Sequence, residues 1–408
     1  MAFAAKDMLK KKIGLLLLSS LGTLFFCNAA LEIASEIQNR DYRISWMEGL
    51  ELETRHTGVP LDRRTKLQVV KDMRAAGQWV YPAAYPHHFL AHLTNDQKTN
   101  GRSLVPLGFI SKATYVQCNE LGQWSVFTTD RYGFQNEDWV VGPKKNPNDK
   151  TAILMGDSIA EGQCVQKGQD IASRLRERGL RAISLGSAGG GPLRELAIMK
   201  EYALPLKPTI IFWLFTPWND LDDAVVENED PFLTKYLQDG FTQNLIHRQK
   251  EINQVWKNFL EKRIDEEEDR HQQANTGVRS ITSLLKPYVT IYQIRKRLAL
   301  TAGHARNQRG ANLLGDALRQ AKKLCDDNGI QLIFIYLPQR PGSWMSGKTV
   351  RTQIKSLTAT LKIPTIDLPE IFSSRNDYLE FFPKPKIFFH LRPAAHDATA
   401  ETLAPYVK

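Results

Sequence analysis

The stretch Thr151-Ala-Ile-Leu-Met-Gly-Asp-Ser-Ile-Ala-Glu-Gly162 decides how this chain is read. The apolar run through Met155 reads as a buried strand. It stops abruptly at Gly156-Asp157-Ser158, where a helical pattern takes over. A serine hydroxyl is thereby placed at the carboxyl end of a strand, where open parallel α/β sheets bind their ligands. The hydroxyl also lies beside a helix N-terminus, whose free N–H groups favour developing negative charge. A serine nucleophile needs both features. A serine or aspartate that merely caps the helix would give the same letters, so the rest of the chain has to decide.

Further blocks follow in order. A helix over about Gln169–Arg178 leads to the strand Arg181-Ala-Ile-Ser-Leu185 and then to Gly186-Ser-Ala-Gly189-Gly-Gly-Pro192. The strand Thr209-Ile-Ile-Phe-Trp-Leu-Phe215 ends in Thr216-Pro-Trp-Asn219-Asp220, and Phe389-His390-Leu-Arg392 lies near the C-terminus. Together these blocks resemble the SGNH/GDSL hydrolases, and the chain is similar to the membrane-anchored bacterial envelope type. The resemblance implies a flavodoxin-like three-layer α/β fold with a parallel sheet. It assigns Ser158 as nucleophile, His390 as general base and acid, and an oxyanion hole made by the backbone N–H groups of Ser158 and Gly189 with the Asn219 amide. Such donors are commonly worth about 3–4 kcal/mol each. Glycine suits position 189 because its backbone must approach substrate closely.

One departure matters. The family's orienting aspartate lies two or three residues before the histidine, where this chain has Phe388 and Ile387. Three readings stay open: a Ser–His dyad held by a backbone carbonyl, an aspartate recruited from elsewhere, or a degenerate site. Asp367, at the end of the strand-like Ile363-Pro-Thr-Ile-Asp367, is a conceivable but weak substitute. His396 is the weaker histidine candidate and is expected on the following helix. Pro217 stands where a glycine is common before the Asn-Asp pair.

Lys6, Lys10, Lys11 and Lys12 precede an uncharged run from Ile13 to Leu31, close to the roughly 20 residues that span a bilayer. The lysines retain that end in the cytoplasm and send the remainder outward. A single-pass inner-membrane anchor with the catalytic domain in the periplasm is the preferred reading; a cleaved signal peptide ending near Cys27-Asn-Ala29 is the alternative. Export permits a Cys118–Cys164 disulfide, against two unrelated buried thiols, since connectivity is not readable from spacing. Cys325 falls on an apolar helix face and is expected as a buried free thiol.

The expected organisation is residues 1–35 as cytoplasmic tip and anchor, 36–148 as juxtamembrane stalk and small β-rich region, and 149–408 as the hydrolase-like domain with a helical insertion at about 230–312. The preface holds a hairpin turning near Leu121-Gly122 and the element Asp130-Arg131-Tyr-Gly133-Phe134-Gln-Asn136. In the insertion, Phe241 through Arg270 reads as a solvated helix laced by ion pairs, and Tyr288 through Leu298 as a segment packed on the core. Adjacent His87 and His88 in an extended segment point to opposite faces, so no metal is expected, nor any cofactor.

The chain has 408 residues, 42% of them apolar, and a net charge of +10. That is enough to bury one large core with satellites, and it attracts polyanions such as acidic glycans or anionic lipids. No nucleic-acid-binding signature is present, and no nucleic-acid partner is expected. The leading function is an envelope serine esterase acting on O-acyl, above all O-acetyl, esters of a carbohydrate or polysaccharide. An envelope O-acyltransferase shares the acyl-serine half-reaction. A non-catalytic glycan-binding or assembly component is the third class.

Overall fold

The computed structural model describes residues 2–85, 104–144, 146, 149–275, 303–340, 348–385 and 387–408. The His87-His88 pair and the Tyr288–Leu298 segment lie outside these residues. Two compact units divide the chain: Met1–Glu48 with Asp265–Ala305, and Gly49–Ile264 with Arg306–Lys408. In the first unit, Lys12–Leu31 is helical with a mean hydropathy of 1.8, and Leu15, Leu16 and Phe26 are exposed. By length and composition this helix can cross a membrane. It is part of one continuous helix, Ala2–Thr57, whose last turns belong to the second unit.

The second unit is built on a five-stranded parallel sheet. Its strands are β4 (Thr151–Gly156), β5 (Arg181–Ser184), β6 (Ile210–Phe215), β7 (Gln331–Tyr336) and β8 (Thr365–Asp367), ordered β5-β4-β6-β7-β8. This is the flavodoxin-like order, and it bears out the three-layer expectation. Every residue of β4 and β6 is buried. Alternate side chains serve opposite faces: Ile153, Met155 and Trp213 join one apolar cluster, while Ala152, Leu154 and Phe212 join the other. Strands buried on both faces read in sequence as unbroken apolar runs. The expected core strands accordingly fall within a residue or two of those observed, and the helix Gly303–Asp327 ends before Gly329 at φ +65°.

A smaller sheet precedes this core. β1 (Val80–Pro82) pairs parallel with β2 (Thr114–Val116), which pairs antiparallel with β3 (Val126–Thr128) across the turn at Gly122. Tyr115 and Phe127 sit in the same apolar cluster as Ile153 and Trp213, so the preface is packed into the main core. Its Asp130 carboxylate accepts from the backbone of Tyr132 and Phe134 and from Asn136, and Asn136 in turn donates to the Ser184 carbonyl. In the insertion the helix begins only at Gln249, after Asn244 in the left-handed region. It is not wholly solvated: Ile252, Trp256, Leu260 and Ile264, spaced by four, are buried.

Gly133 has φ +84°, and a Cβ there would lie 2.1 Å from the Phe109 carbonyl oxygen. Gly133→Ala therefore combines backbone strain with a clash against backbone. Equilibrium denaturation should show a loss of about 2–4 kcal/mol.

Candidate active site

The turn after β4 needs its glycine. Gly156 has φ +149°, and a Cβ would meet the Leu214 carbonyl oxygen at 2.6 Å. Asp157 occupies the cap position of the short helix Ser158–Glu161, yet its carboxylate makes no capping hydrogen bond. It accepts instead from the Gly189 N–H and, at 2.6 Å, from Asn219 Nδ2. The Ser158 backbone N–H also favours its charged form. The capping explanation of Gly-Asp-Ser thus gives way to one in which three separate blocks meet. Ser158 Oγ is buried and lies 3.5 Å from Asp157 Oδ2. The three donors assigned to an oxyanion all face a carboxylate in this resting arrangement.

The second block approaches the first closely. A Cβ on Gly186 would come within 2.1 Å of the Glu161 backbone nitrogen. Ser187 N–H donates to the Gly156 carbonyl at 3.0 Å and Ala188 N–H to Glu161 Oε2 at 2.5 Å. Glu161 Oε1 also accepts from Gln117 of the preface at 2.5 Å.

His390 is brought to the same place from the C-terminal segment. Its Nδ1 stands 3.0 Å from Glu120 Oε1, close enough for an ion pair though off the line of an ideal hydrogen bond. Glu120 Oε2 accepts from the backbone N–H of Phe389 at 3.2 Å and of His390 at 3.1 Å. One buried carboxylate therefore holds both the ring and its backbone. Burial disfavours charge on His390, but the facing Glu120 outweighs it and raises the imidazole pKa above the ordinary 6.5. Burial likewise opposes charge on Glu120; the histidine and the two N–H groups prevail and lower its pKa. The far end of the segment is held from the N-terminal side as well. Arg392 donates to the fully buried Glu53 at 2.8 and 2.6 Å, and to Glu380 at 3.0 Å.

Glu120 is the residue that sequence reasoning missed. The search for an acid concentrated on positions beside His390 and on an aspartate elsewhere. Asp367 is engaged otherwise, with Arg351 at 2.7 Å and Lys355 at 2.9 Å. His396 lies on the helix Pro393–Val407 as expected, but it is fully buried. Burial pushes its pKa down to about 4. The available signal for Glu120 was its place two residues after Cys118, because Cys118–Cys164 is a disulfide in the structure and Cys164 follows the Ser158 helix. Cys325 is a buried free thiol.

Ser158, Gly189, Asn219 and His390 line one cavity of about 300 Å³, walled by Tyr85, Trp218 and Phe389. No hydrogen bond joins Ser158 to His390 among the described residues. Catalytic hydrogen bonds in substrate-free sites are often long and tighten on binding. Beneath the cavity lies a shell of buried acids. Burial raises Asp157 against the donors and the His390 charge that face it; burial and then repulsion from neighbouring carboxylates raise Glu195 and Asp220, and bring Asp223 to about 7. Burial brings Glu161 to about 8. Carboxylate oxygens of Asp157, Asp220 and Asp223 lie within 4.8 Å of one another, a grouping able to hold a cation. Asn219 Nδ2, however, already bridges Asp157 and Asp223, at 2.6 and 2.8 Å, doing with two N–H bonds what a cation would do. A second grouping, around Glu120 and His390, contains the two bridged cysteines, which offer no thiolate.

No family model matches the chain, and no curated protein does. Solved structures similar to it include an acetyl xylan esterase (12% identity, TM-score 0.34, covering 63% of this chain and 100% of that one). A GDSL-like lipase from Bacteroides thetaiotaomicron (11%, TM-score 0.35, 65% and 91%) and a lipase/acylhydrolase from Enterococcus faecalis (12%, TM-score 0.35, 63% and 95%) are others. Likenesses this distant assign neither chemistry nor substrate, which have to come from the site itself.

Replacing Glu120 by glutamine removes the main influence that raises the His390 pKa and leaves the burial that lowers it. Proton or nitrogen NMR titration of the His390 ring should place its midpoint above 6.5 in the native protein, and clearly lower in Glu120→Gln.

Proposed function

We propose that this chain is a membrane-tethered serine ester hydrolase of the SGNH/GDSL type, with Ser158, His390 and Glu120 as its triad. The observation that carries this reading is the convergence of a buried serine, a carboxylate-held histidine and three anion-facing donors on one cavity. Ser158 Oγ attacks the ester carbonyl while His390 Nε2 takes its proton, and the same nitrogen later protonates the leaving alkoxide. Glu120 keeps the proton on Nδ1 and stabilises the imidazolium, the part played by the aspartate in other triads. The tetrahedral oxyanion takes the Ser158, Gly189 and Asn219 donors. For this the Asp157 carboxylate must first turn away from them. The second half-reaction repeats the cycle with water.

The presence of Glu120 favours catalysis over the degenerate reading, and the weakened catalysis expected of a chain lacking the acid no longer follows. The aromatic walls suit the flat faces of a sugar ring, and the net charge of +10 suits an acidic glycan, so an O-acylated, chiefly O-acetylated, carbohydrate is the substrate class we favour. An exported domain agrees with the disulfide and with the lysines ahead of the apolar helix. We place the second unit in the periplasm, anchored by a single pass through the inner membrane.

Turnover of an aryl acetate should fall by about 10⁴-fold or more in Ser158→Ala and His390→Ala, and Asp367→Ala should retain most activity. Undiminished turnover in Ser158→Ala, or failure of Ser158 to label with a serine-reactive phosphonate, would sink the assignment. An acetylated sugar incubated with a sugar acceptor separates hydrolysis from transfer by its product. Topology is tested separately, with reporters fused after residue 60. A fusion active only in the cytoplasm would refute export.

A further inference from the structure

The triad acid is not delivered by the catalytic core. Glu120 lies in the turn beyond β2, where regular strand pairing has ended. Turns of this kind are the parts of a fold most free to shift. Catalytic groups, however, have to be held to within roughly 0.5 Å. The segment Gln117–Glu120 is fastened to the site in a dense way. Gln117 donates to Glu161 at 2.5 Å, Cys118 is bonded to Cys164 with a Cα–Cα distance of 4.9 Å, and Glu120 meets His390. Glu161 closes the helix that Ser158 opens, and its other oxygen accepts from Ala188 beside Gly189. Cys164 follows that helix and sits at φ +70°, a left-handed conformation disfavoured for a residue with a side chain. The chain holds Cys164 in that conformation where the acid's turn is covalently joined to the nucleophile's. Local strain retained beside a reacting group is a pointer to function.

We infer that the Cys118–Cys164 bridge, with the Gln117–Glu161 bond beside it, is a positioning device for the Glu120 carboxylate. Cys118, Cys164 and Gln117 are positioning residues in this scheme: they touch neither substrate nor the reacting atoms, and act through Glu120 on His390. The inference rests on the triad reading above. A bridge serving only stability would lower the melting temperature and leave the imidazole and kcat unchanged in the folded protein.

The experiment uses the full-length protein. It compares the native chain, the double variant Cys118→Ala/Cys164→Ala, Glu120→Gln, and the three substitutions combined. Aryl acetate hydrolysis gives kcat and KM; ring NMR gives the His390 titration. Removing the bridge should lower kcat by roughly ten- to a hundredfold, the usual effect of a misplacement of about 1 Å. KM should stay within about twofold, and the His390 midpoint should fall toward that of Glu120→Gln. In the Glu120→Gln background the same removal should change kcat by less than about twofold, because two changes acting through one contact do not add.

Equal fold-losses in both backgrounds, or an unchanged titration and kcat after bridge removal, would overturn the inference. So would free thiols at both cysteines in protein purified from the envelope. If the double variant does not fold, Gln117→Ala loosens the same turn with the bridge intact. It should show a smaller loss of the same kind, again absent in the glutamine background. If no variant, native included, hydrolyses any ester, the titration still decides. A fall on bridge removal that Glu120→Gln abolishes upholds positioning and rejects the esterase, and no fall rejects both.

Discussion

One contact governs the site: the Glu120 carboxylate against the His390 ring and the two backbone N–H groups beneath it. A buried imidazole with no carboxylate against it loses its affinity for protons, as His396 shows. A buried carboxylate without donors is raised in the same way. Each group makes the other's charge tolerable, and both are held near their working states. Because Glu120 comes from the preface and His390 from the C-terminal segment, the contact exists only if these parts of the chain are fixed together. The shared apolar cluster, the disulfide and the Glu53–Arg392 pair all serve that requirement. Two glutamates from the N-terminal side thus hold the two ends of the Phe389–Arg392 segment.

Much of this was legible in the residues, and the rest was not, for definable reasons. β4, β6 and β7 are buried on both faces, so their apolar runs read directly as strands. Gly156, Gly189 and Asn219 fall at strand ends, where chemistry in a parallel sheet is expected. The bridge was anticipated from export and position. Glu120 was not, because the carboxylate partner of a histidine can be supplied by any segment that packing brings near the ring. Sequence proximity to His390 is a habit of related folds and not a physical demand. The insertion helix misled in another way. Its charged run suggested a fully solvated rod, while the four-residue spacing of Ile252, Trp256, Leu260 and Ile264 marks the buried stripe.

Carboxylates do structural work at this end of the sheet that strands cannot do. Loops leaving the strands have no ladder to satisfy their N–H groups, and burial makes an unpaired donor costly. Glu161 takes the Ala188 N–H, Asp220 that of Thr216, and Glu227 those of Gly191, Leu193 and Arg194. The outcome is a layer of acids crowded under the cavity, whose ionisation is opposed by burial and by mutual repulsion. The loops are fixed by these bonds.

Asp157 has a further consequence for what happens after a reaction. Its carboxylate rests on the Gly189 and Asn219 donors, which in the proposed ester cleavage would also attract the acid released. A carboxylate attached to the same chain is present at a high effective concentration, so a liberated acid such as acetate competes for these donors at a disadvantage. If the proposed hydrolysis is the reaction, the catalyst should tolerate the build-up of its own acidic product.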